Sequence, residues 1–565
     1  MNLELDKDYL ADALNGYMKR FPELVANNIN KKIDMPIRIT YDDVFMCVKM
    51  QELHALNVST DEGGLVANTG LVLGTTHTFA KVKEWKAPFG TWADIPGINK
   101  TSIKVALELA ERDARDHLGS FLTDSGQTSG FPLKNGDYNF DVNLDAKIDS
   151  KYDIRTADIR SIGKELINLG QMVKEASNGQ LKKVYADVYS TLDLKLIGNS
   201  AGGLTFQEIP RTRVAIRTIA YPKRIVDATN YFIGSKDSII GAACGLDIFY
   251  DLMDSKFGSI EDITANIAEE SVDFFYNSIP IDKIGWKPHK RIKVLLNPGV
   301  AGLFAHEALG HHVEQDLEDE QYGARFLRDC IGDKVSAKKL SIKFDPSYVV
   351  DGWHPYGSYF YDDEGTKGIP THIIKDGVAM DTLTDLSFAK AYDSKPNGHA
   401  MLDYIRMSNL IIDDNQGVNP DELFEDIKGK GFYIKSGHGG FTSEIMKQAR
   451  LMIDSLYFVD RQGELKPIAP LAPPFSKIRS KLAMIGFNLS MDSMDILHNV
   501  SALGKNVSSV GEPYKMPFPG AGHCGKEGEW TPTSHGGAYM LLDDILLTKN
   551  ELDAPRKCLF FKKKK

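Results

Sequence analysis

The chain has 565 residues, 42% hydrophobic and 25% charged, the ordinary balance of a globular protein with two or three domains. Its net charge of −10 argues against nucleic-acid binding, and it lacks the run of roughly 18 apolar residues that a membrane span needs. Five scattered cysteines, an odd number, and a start without a basic-then-apolar leader predict a reducing, cytoplasmic compartment and no disulfide framework.

Residues 8–30 are predicted as a helix, with Leu10, Leu14, Met18 and Leu24 on one face. Strands are predicted over 36–90, with turns at Asp61-Glu62-Gly63-Gly64 and Ala67-Asn68-Thr69-Gly70. Thr101 to about Leu118 reads as helix, and the Gly-, Asn-, Asp- and Ser-rich stretch 119–152 as a long loop or flap. Helix returns over 154–178, with Ile154, Ile159, Ile162 and Leu166 facing the core. Strands follow over 182–222 and a helix over 259–278. Cys47 and Cys244 sit among apolar neighbours and read as inert core thiols.

Lys293-Val294-Leu295-Leu296 reads as a short buried strand. Asn297 is then a good N-cap, and Pro298 suits the first helical position. The helix runs through Val300, Leu303, Phe304 and Leu309 to an acidic exit at Glu314, Asp316, Glu318, Asp319 and Glu320. It carries His306-Glu307-Ala308-Leu309-Gly310-His311, two imidazoles that can bind a divalent metal and a carboxylate that can move a proton. A regular helix splays residues five apart by about 140°. A π-bulge eased by Gly310 is therefore expected to bring His306 and His311 together. His312 is an alternative to His311, and the match alone also occurs by chance.

Downstream, strands are predicted at Gly352–Tyr361, Thr371–Ala379, Gly431–Ile434, Leu451–Val459 and Ala538–Leu547. The acidic turn Asp362-Asp363-Glu364 reads as solvated. The closing Lys562–Lys565 reads as a solvated tail. The whole is α+β. An α/β N-terminal half (1–289) precedes a β-rich, barrel-like half (290–565) that carries the metal helix on one side and Cys524 on the other. Cys524 lies in Gly520-Ala521-Gly522-His523-Cys524-Gly525-Lys526-Glu527-Gly528, read as a glycine-rich loop too poor in apolar residues to be core. A thiolate there, near Lys526, is a plausible third ligand. Two histidines, a thiolate and one open position describe a catalytic zinc sphere.

In these residues the chain resembles the TldD/PmbA family of metalloproteases, in its TldD-like, catalytically complete form. The matching motifs are the H-E-x-x-x-H helix after a strand, Cys524-Gly525-Lys526-Glu527-Gly528, Asp362-Asp363-Glu364-Gly365 followed by His372–Val378, and Arg406-Met407-Ser408-Asn409. Upstream, Gly198–Gly202 and Arg211-Thr212-Arg213 fit as well, so the likeness covers about 180–548, and residues 1–150 match poorly. The resemblance implies a two-domain subunit paired as a homodimer or as a heterodimer with a PmbA-like sister. It also implies a site that admits unfolded peptides lying as extended strands. Carried over, His306, His311 and Cys524 bind one zinc ion per chain, and Glu307 is the general base.

Zinc lowers the pKa of a bound water to about 7, and Glu307 takes its proton and returns it to the leaving amine. A thiolate makes zinc a weaker Lewis acid than a third imidazole does, so the oxyanion needs further help. His523, Arg406, His535 and the amides of the glycine-rich segment are the candidates. Two other classes stay open: a non-proteolytic, non-haem iron enzyme in which Cys524 is a bystander, and a structural partner subunit of a protease complex.

Overall fold

The computed structural model describes residues 44–61, 64–69, 73–82, 89–95, 140–181, 183–220, 234–280, 284–285, 291–318, 327–336, 340–391, 394–401, 404–443, 448–469, 487–492, 497–506, 520–526 and 529–549, together with Asp12 and Gly16. The helix expected over 101–118 lies outside these residues. So does the one over 8–30, apart from Asp12 and Gly16, which are helical. The architecture is mixed α+β and strand-rich, with few helices among the described residues.

The N-terminal sheet is built from long strands: β1 (Val44–Asp61), β2 (Gly64–Thr69), β3 (Leu73–Val82), β4 (Phe89–Ile95), β5 (Val142–Lys147), β6 (Lys183–Asn199), β7 (Leu204–Ala220) and β8 (Gly234–Ala243). Its main path runs β8-β7-β6-β1-β3-β4, with β2 against β1 and β5 against β7. Asp61 faces Gly64 across the β1–β2 hairpin, where the sequence places a turn. The strand β5 corrects the reading of 119–152 as loop throughout: it pairs parallel to β7, Val142 beside Leu204, and its glycine-poor stretch alternates enough to join a sheet. One face of this sheet is covered by α1 (Ile159–Ala176), α2 (Asp247–Met253) and α3 (Ile260–Val272). Asp158 caps α1 by accepting from the Arg160 and Ser161 amides. Ile162, Leu166, Leu169 and Val173 then repeat at helical spacing and are fully buried against Val188 and Val214. β8 and α2 carry no strong sequence signal and fall between the predicted elements.

The second half contains a ring of strands. β9 (Arg291–Leu296) lies between β12 (Gly431–Ser443), to which it is parallel, and β17 (Tyr539–Lys549), to which it is antiparallel. β17 pairs with β14 (Phe487–Asp492), β14 with β13 (Gln448–Val459), and β13 returns to β12, so the five close on themselves. The barrel-like expectation takes this form.

Beside the ring stands a six-stranded sheet. Its order is Val378–Ala379, Thr371–Lys375, β10 (Ile342–Phe344), β11 (Asn409–Ile412), β16 (Glu529–Gly537) and β15 (Gly520–Lys526). The first pair is a tight hairpin whose Asp376 and Gly377 have φ of 50° and 81°, the two left-handed residues such a turn needs. The expected Gly352–Tyr361 strand shrinks to His354–Pro355, which pairs with β8 of the N-terminal sheet. Asp351 and Gly352, with φ of 50° and 83°, turn the chain just before it.

The acidic turn Asp362–Glu364 is fully buried where the two halves meet, not solvated. Lys49 and Lys195 reach Asp363 at 2.7 and 3.2 Å, Asn199 donates to the Glu364 carbonyl, and Asp362 accepts the Glu364, Thr366 and Ala400 amides. Ammonium groups replace water at Asp363, whereas burial and then the neighbouring Glu364 push the Asp362 carboxyl well above the usual carboxylate range.

A helix, α4 (Pro298–Ala308), wedges between ring and sheet. Gly302 permits the approach, because a Cβ there would sit 2.7 Å from the His535 carbonyl carbon. Gly302→Ala is expected to cost about 1–3 kcal/mol in an overpacked contact with rigid backbone, read as a lowered midpoint in urea unfolding.

Candidate metal centre

The strand β9 ends at Leu296, and Asn297 starts α4 as the sequence predicts: its side chain accepts from the Gly299 amide at 2.9 Å, and Pro298 occupies the first turn. His306 and Glu307 lie in the last turn and are buried. The π-bulge does not form. The helix stops at Ala308, Leu309 leaves helical geometry at φ −125°, and Gly310–Val313 makes a 3-10 turn that carries His311. The turn is closely packed, since the Met407 sulfur fills the place a Gly310 side chain would take. The outcome for the imidazoles is the same, since the rings of His306 and His311 stand edge to face with centroids 5.2 Å apart.

Cys524 arrives from the far end of the sequence on β15, which corrects its reading as a loop residue. Two of the three glycines of that strand have a packing role. A Gly520 side chain would strike the His535 ring, and one at Gly525 would touch Trp530 at 3.2–3.4 Å. Alternation puts Cys524 and its cross-strand neighbour Thr531 on one face and His523 with Pro532 on the other. Cys524 is buried in the apolar cluster around α4. Its sulfur lies 3.3 Å from His306 Nε2 and 3.5 Å from His311 Nε2, and the three donor atoms fall within 4.8 Å of one another. This is the one such trio of possible ligands among the described residues. His312, also buried, is outside it.

Electrostatics separate the two imidazoles. Burial holds His306 well below the ordinary imidazole value, so one ring nitrogen keeps its lone pair, and its Nδ1 has no hydrogen-bond partner among the described residues. Burial also opposes protonation of His311, but the carboxylate of Glu314 and the Cys524 sulfur outweigh it and raise its pKa. Glu314 is itself held well below the carboxylate range. Burial works against that, and Lys526 and His311 overcome it.

Glu307 is fixed from β12, where the Thr442 hydroxyl sits 2.8 Å from its Oε2 and 2.7 Å from its carbonyl oxygen. Gly440 leaves room for the carboxylate, whose Oε1 lies 2.7 Å from where a Cβ would be.

The remaining candidates divide. His535, opposite Gly520, shares the Cys524 face, and its ring centroid is 6.0 Å from that of His306. Burial pushes its pKa down to about 4, which keeps it neutral. Arg406 is fully buried behind the thiol strand and donates through Nη2 to the Cys524 carbonyl at 2.6 Å. His523 points to the opposite face, 5.6 Å from the Tyr356 ring. Burial and then Arg213 and Arg211 lower its pKa to about 4.

Sequence reasoning missed Glu314, Asp316 and Thr442. Glu314 lies three residues beyond His311, a spacing that could have marked it. Thr442 carries no local signal.

Residues 289–472 match the PmbA/TldA metallopeptidase C-terminal domain. A metalloprotease of Methanothermobacter thermautotrophicus is 27% identical over 62% of this chain and 66% of its own length. A zinc metalloprotease TldD homolog of Saccharolobus solfataricus is 29% identical over 50% and 55%. The chain thus spans between about half and two thirds of the length of these relatives. In fold it is similar to TldE from Thermococcus kodakarensis, at a TM-score of 0.61 and 13% identity over 93% of this chain and 99% of that one. It is also similar to a putative modulator of a DNA gyrase from Thermotoga maritima, at 0.56 and 17% over 88% and 96%. No helix among the described residues is long and apolar enough to cross a membrane.

Proposed function

Because the chain belongs to the TldD/PmbA family, we propose that it is a zinc-dependent peptidase acting on small or unfolded peptides. Residues 290–565 form its catalytic domain on this reading, with His306, His311 and Cys524 as ligands. The observation that carries the proposal is the meeting of these donors across 218 positions of sequence, with Glu307 next to one of them. Nitrogen and sulfur ligands of one tetrahedral zinc ion stand about 3.5 Å apart, given bonds of about 2.0–2.1 and 2.3 Å, and the separations here are 3.3 and 3.5 Å. A bound zinc would lower the pKa of water and polarise the scissile carbonyl.

The residues supply the rest. Glu307 accepts the proton of the attacking water and returns it to the leaving amine, with Thr442 holding its rotamer. His535, neutral and on the ligand face, is placed to donate to the developing oxyanion. Arg406 holds the Cys524 strand through its carbonyl and does not reach the substrate, being fully buried, and His523 lies beyond that strand. Among the described residues β15 is the edge of its sheet, and none of them lies within 4 Å of the place of a Gly522 side chain, two residues from the thiol and on its face. An extended peptide can add there through main-chain bonds, which suits substrates recognised without regard to sequence. The assembly we expect is a homodimer, or a heterodimer with a PmbA-like sister, in the cytoplasm. The iron reading is less favoured, because a thiol and no carboxylate completes the donor trio.

Elemental analysis of the purified protein should find about one zinc per chain. A chelator should stop cleavage of a mixed pool of unstructured peptides, and added zinc should restore it. Iron in place of zinc, or cleavage that survives complete metal removal, would sink the proposal.

A further inference from the structure

Outside the ligand trio, the most heavily committed side chain near the centre is Glu314. It is fully buried, and its partners come from separate elements. Its Oε2 lies 3.3 Å from His311 Nδ1 on the 3-10 turn and 3.2 Å from Lys526 Nζ on β15. Its Oε1 is 3.9 Å from Arg406 Nε. Lys526 is held in turn by Asp316 at 2.7 Å and by the Ile405 carbonyl at 3.3 Å.

Two consequences follow from where these groups sit. An imidazole has one N–H when neutral, so an acceptor at Nδ1 keeps the proton there and leaves Nε2 with its lone pair. His311 Nε2 is the nitrogen that faces the Cys524 sulfur. His306 has no such acceptor at Nδ1 among the described residues, so the two imidazoles are not equivalent. Lys526 is two residues from Cys524 on the same strand, and alternation points both side chains to the same side. The Glu314–Lys526 ion pair therefore ties the turn bearing one ligand to the strand bearing another.

We propose that Glu314 is the positioning residue of the centre: it fixes the His311 tautomer and, through Lys526, sets the distance between His311 and Cys524. The proposal rests on the ligand set given above. Asp316 steadies Lys526 and has no bond to a ligand.

The test is zinc affinity, by competition with a chromophoric chelator, for wild type, Glu314→Gln and Glu314→Asp. The cobalt(II) spectrum is recorded for each as a second readout. Glutamine keeps the shape and removes the charge. Aspartate keeps the charge but is one methylene too short for a single oxygen to reach His311 and Lys526 together. Both variants are expected to bind zinc about 10–100-fold more weakly. Their cobalt forms should retain the thiolate charge-transfer band and shift in the ligand-field bands. If Glu314→Gln does not fold, Glu314→Asp decides alone. Zinc affinity within about threefold of wild type in every folded variant, whatever happens to their melting temperatures, overturns the role and leaves Glu314 a structural ion pair. A wild type that binds neither metal instead removes the ligand set itself.

Discussion

Glu307→Gln is expected to abolish peptide cleavage, by a factor of about 10²–10⁴, while leaving zinc content and fold intact. Glutamine fits the same space beside Gly440 and can still accept from the Thr442 hydroxyl, so packing is conserved. What disappears is the basic oxygen that takes the water proton. The ligand nitrogen of His306, one residue earlier, is untouched. Turnover of the peptide pool and zinc per chain, measured on one preparation, check both halves of the statement. Wild-type turnover in the variant would remove Glu307 from the chemistry. Zinc lost together with activity would make it a ligand, which is the iron-like arrangement.

Cys524→Ser is expected to lower zinc affinity about a hundredfold. Four ligands give a zinc ion roughly 10–16 kcal/mol, so one is worth about 3 kcal/mol, and a neutral hydroxyl replaces a thiolate poorly. Activity should fall with metal occupancy and recover in part at high zinc. The serine is also buried in an apolar cluster, so some loss of metal-free stability accompanies it. Equilibrium dialysis against buffered zinc reads the affinity directly. Unchanged affinity would mean the thiol is a bystander next to two histidines.

Local order in the sequence carried the parts of this structure that depend on neighbours. The unit Arg291–Leu296, Asn297, Pro298 and α4 was legible because a cap, a proline and an apolar run each act within a few residues. The single strand expected over Thr371–Ala379 is instead two, folded back at Asp376-Gly377. What was not legible depends on distant partners. Glu314 and Asp316 look like a charged helix exit until Lys526, more than 200 residues away, is placed on them. Asp362–Glu364 look solvated until Lys49 and Lys195 meet them. β15 looked like a loop because its glycines lower strand propensity. They are there to clear His535 and Trp530, and one of them leaves open space by the thiol. The π-bulge was one answer to the five-residue spacing, and the chain reaches the same meeting of imidazoles by ending the helix and making a 3-10 turn.

The closed ring has a bearing on the order in which the protein comes into being. β9 is made early, yet its pairing with β17 joins residues 253 apart, as in the Arg291–Asp544 contact. His306 and Cys524 are separated by 218. At synthesis rates of about 5–20 residues per second, the histidines leave the ribosome roughly 10–45 s before the thiol. The strand that carries Cys524 and the strand that seals the ring are separated in the chain only by β16. On the proposed ligand set, a nascent chain holds the helix with its glutamate but no third donor. Peptide-cleaving capacity and a sealed barrel then arrive in the same interval, so growing chains and fragments around them are not exposed to a half-built hydrolase.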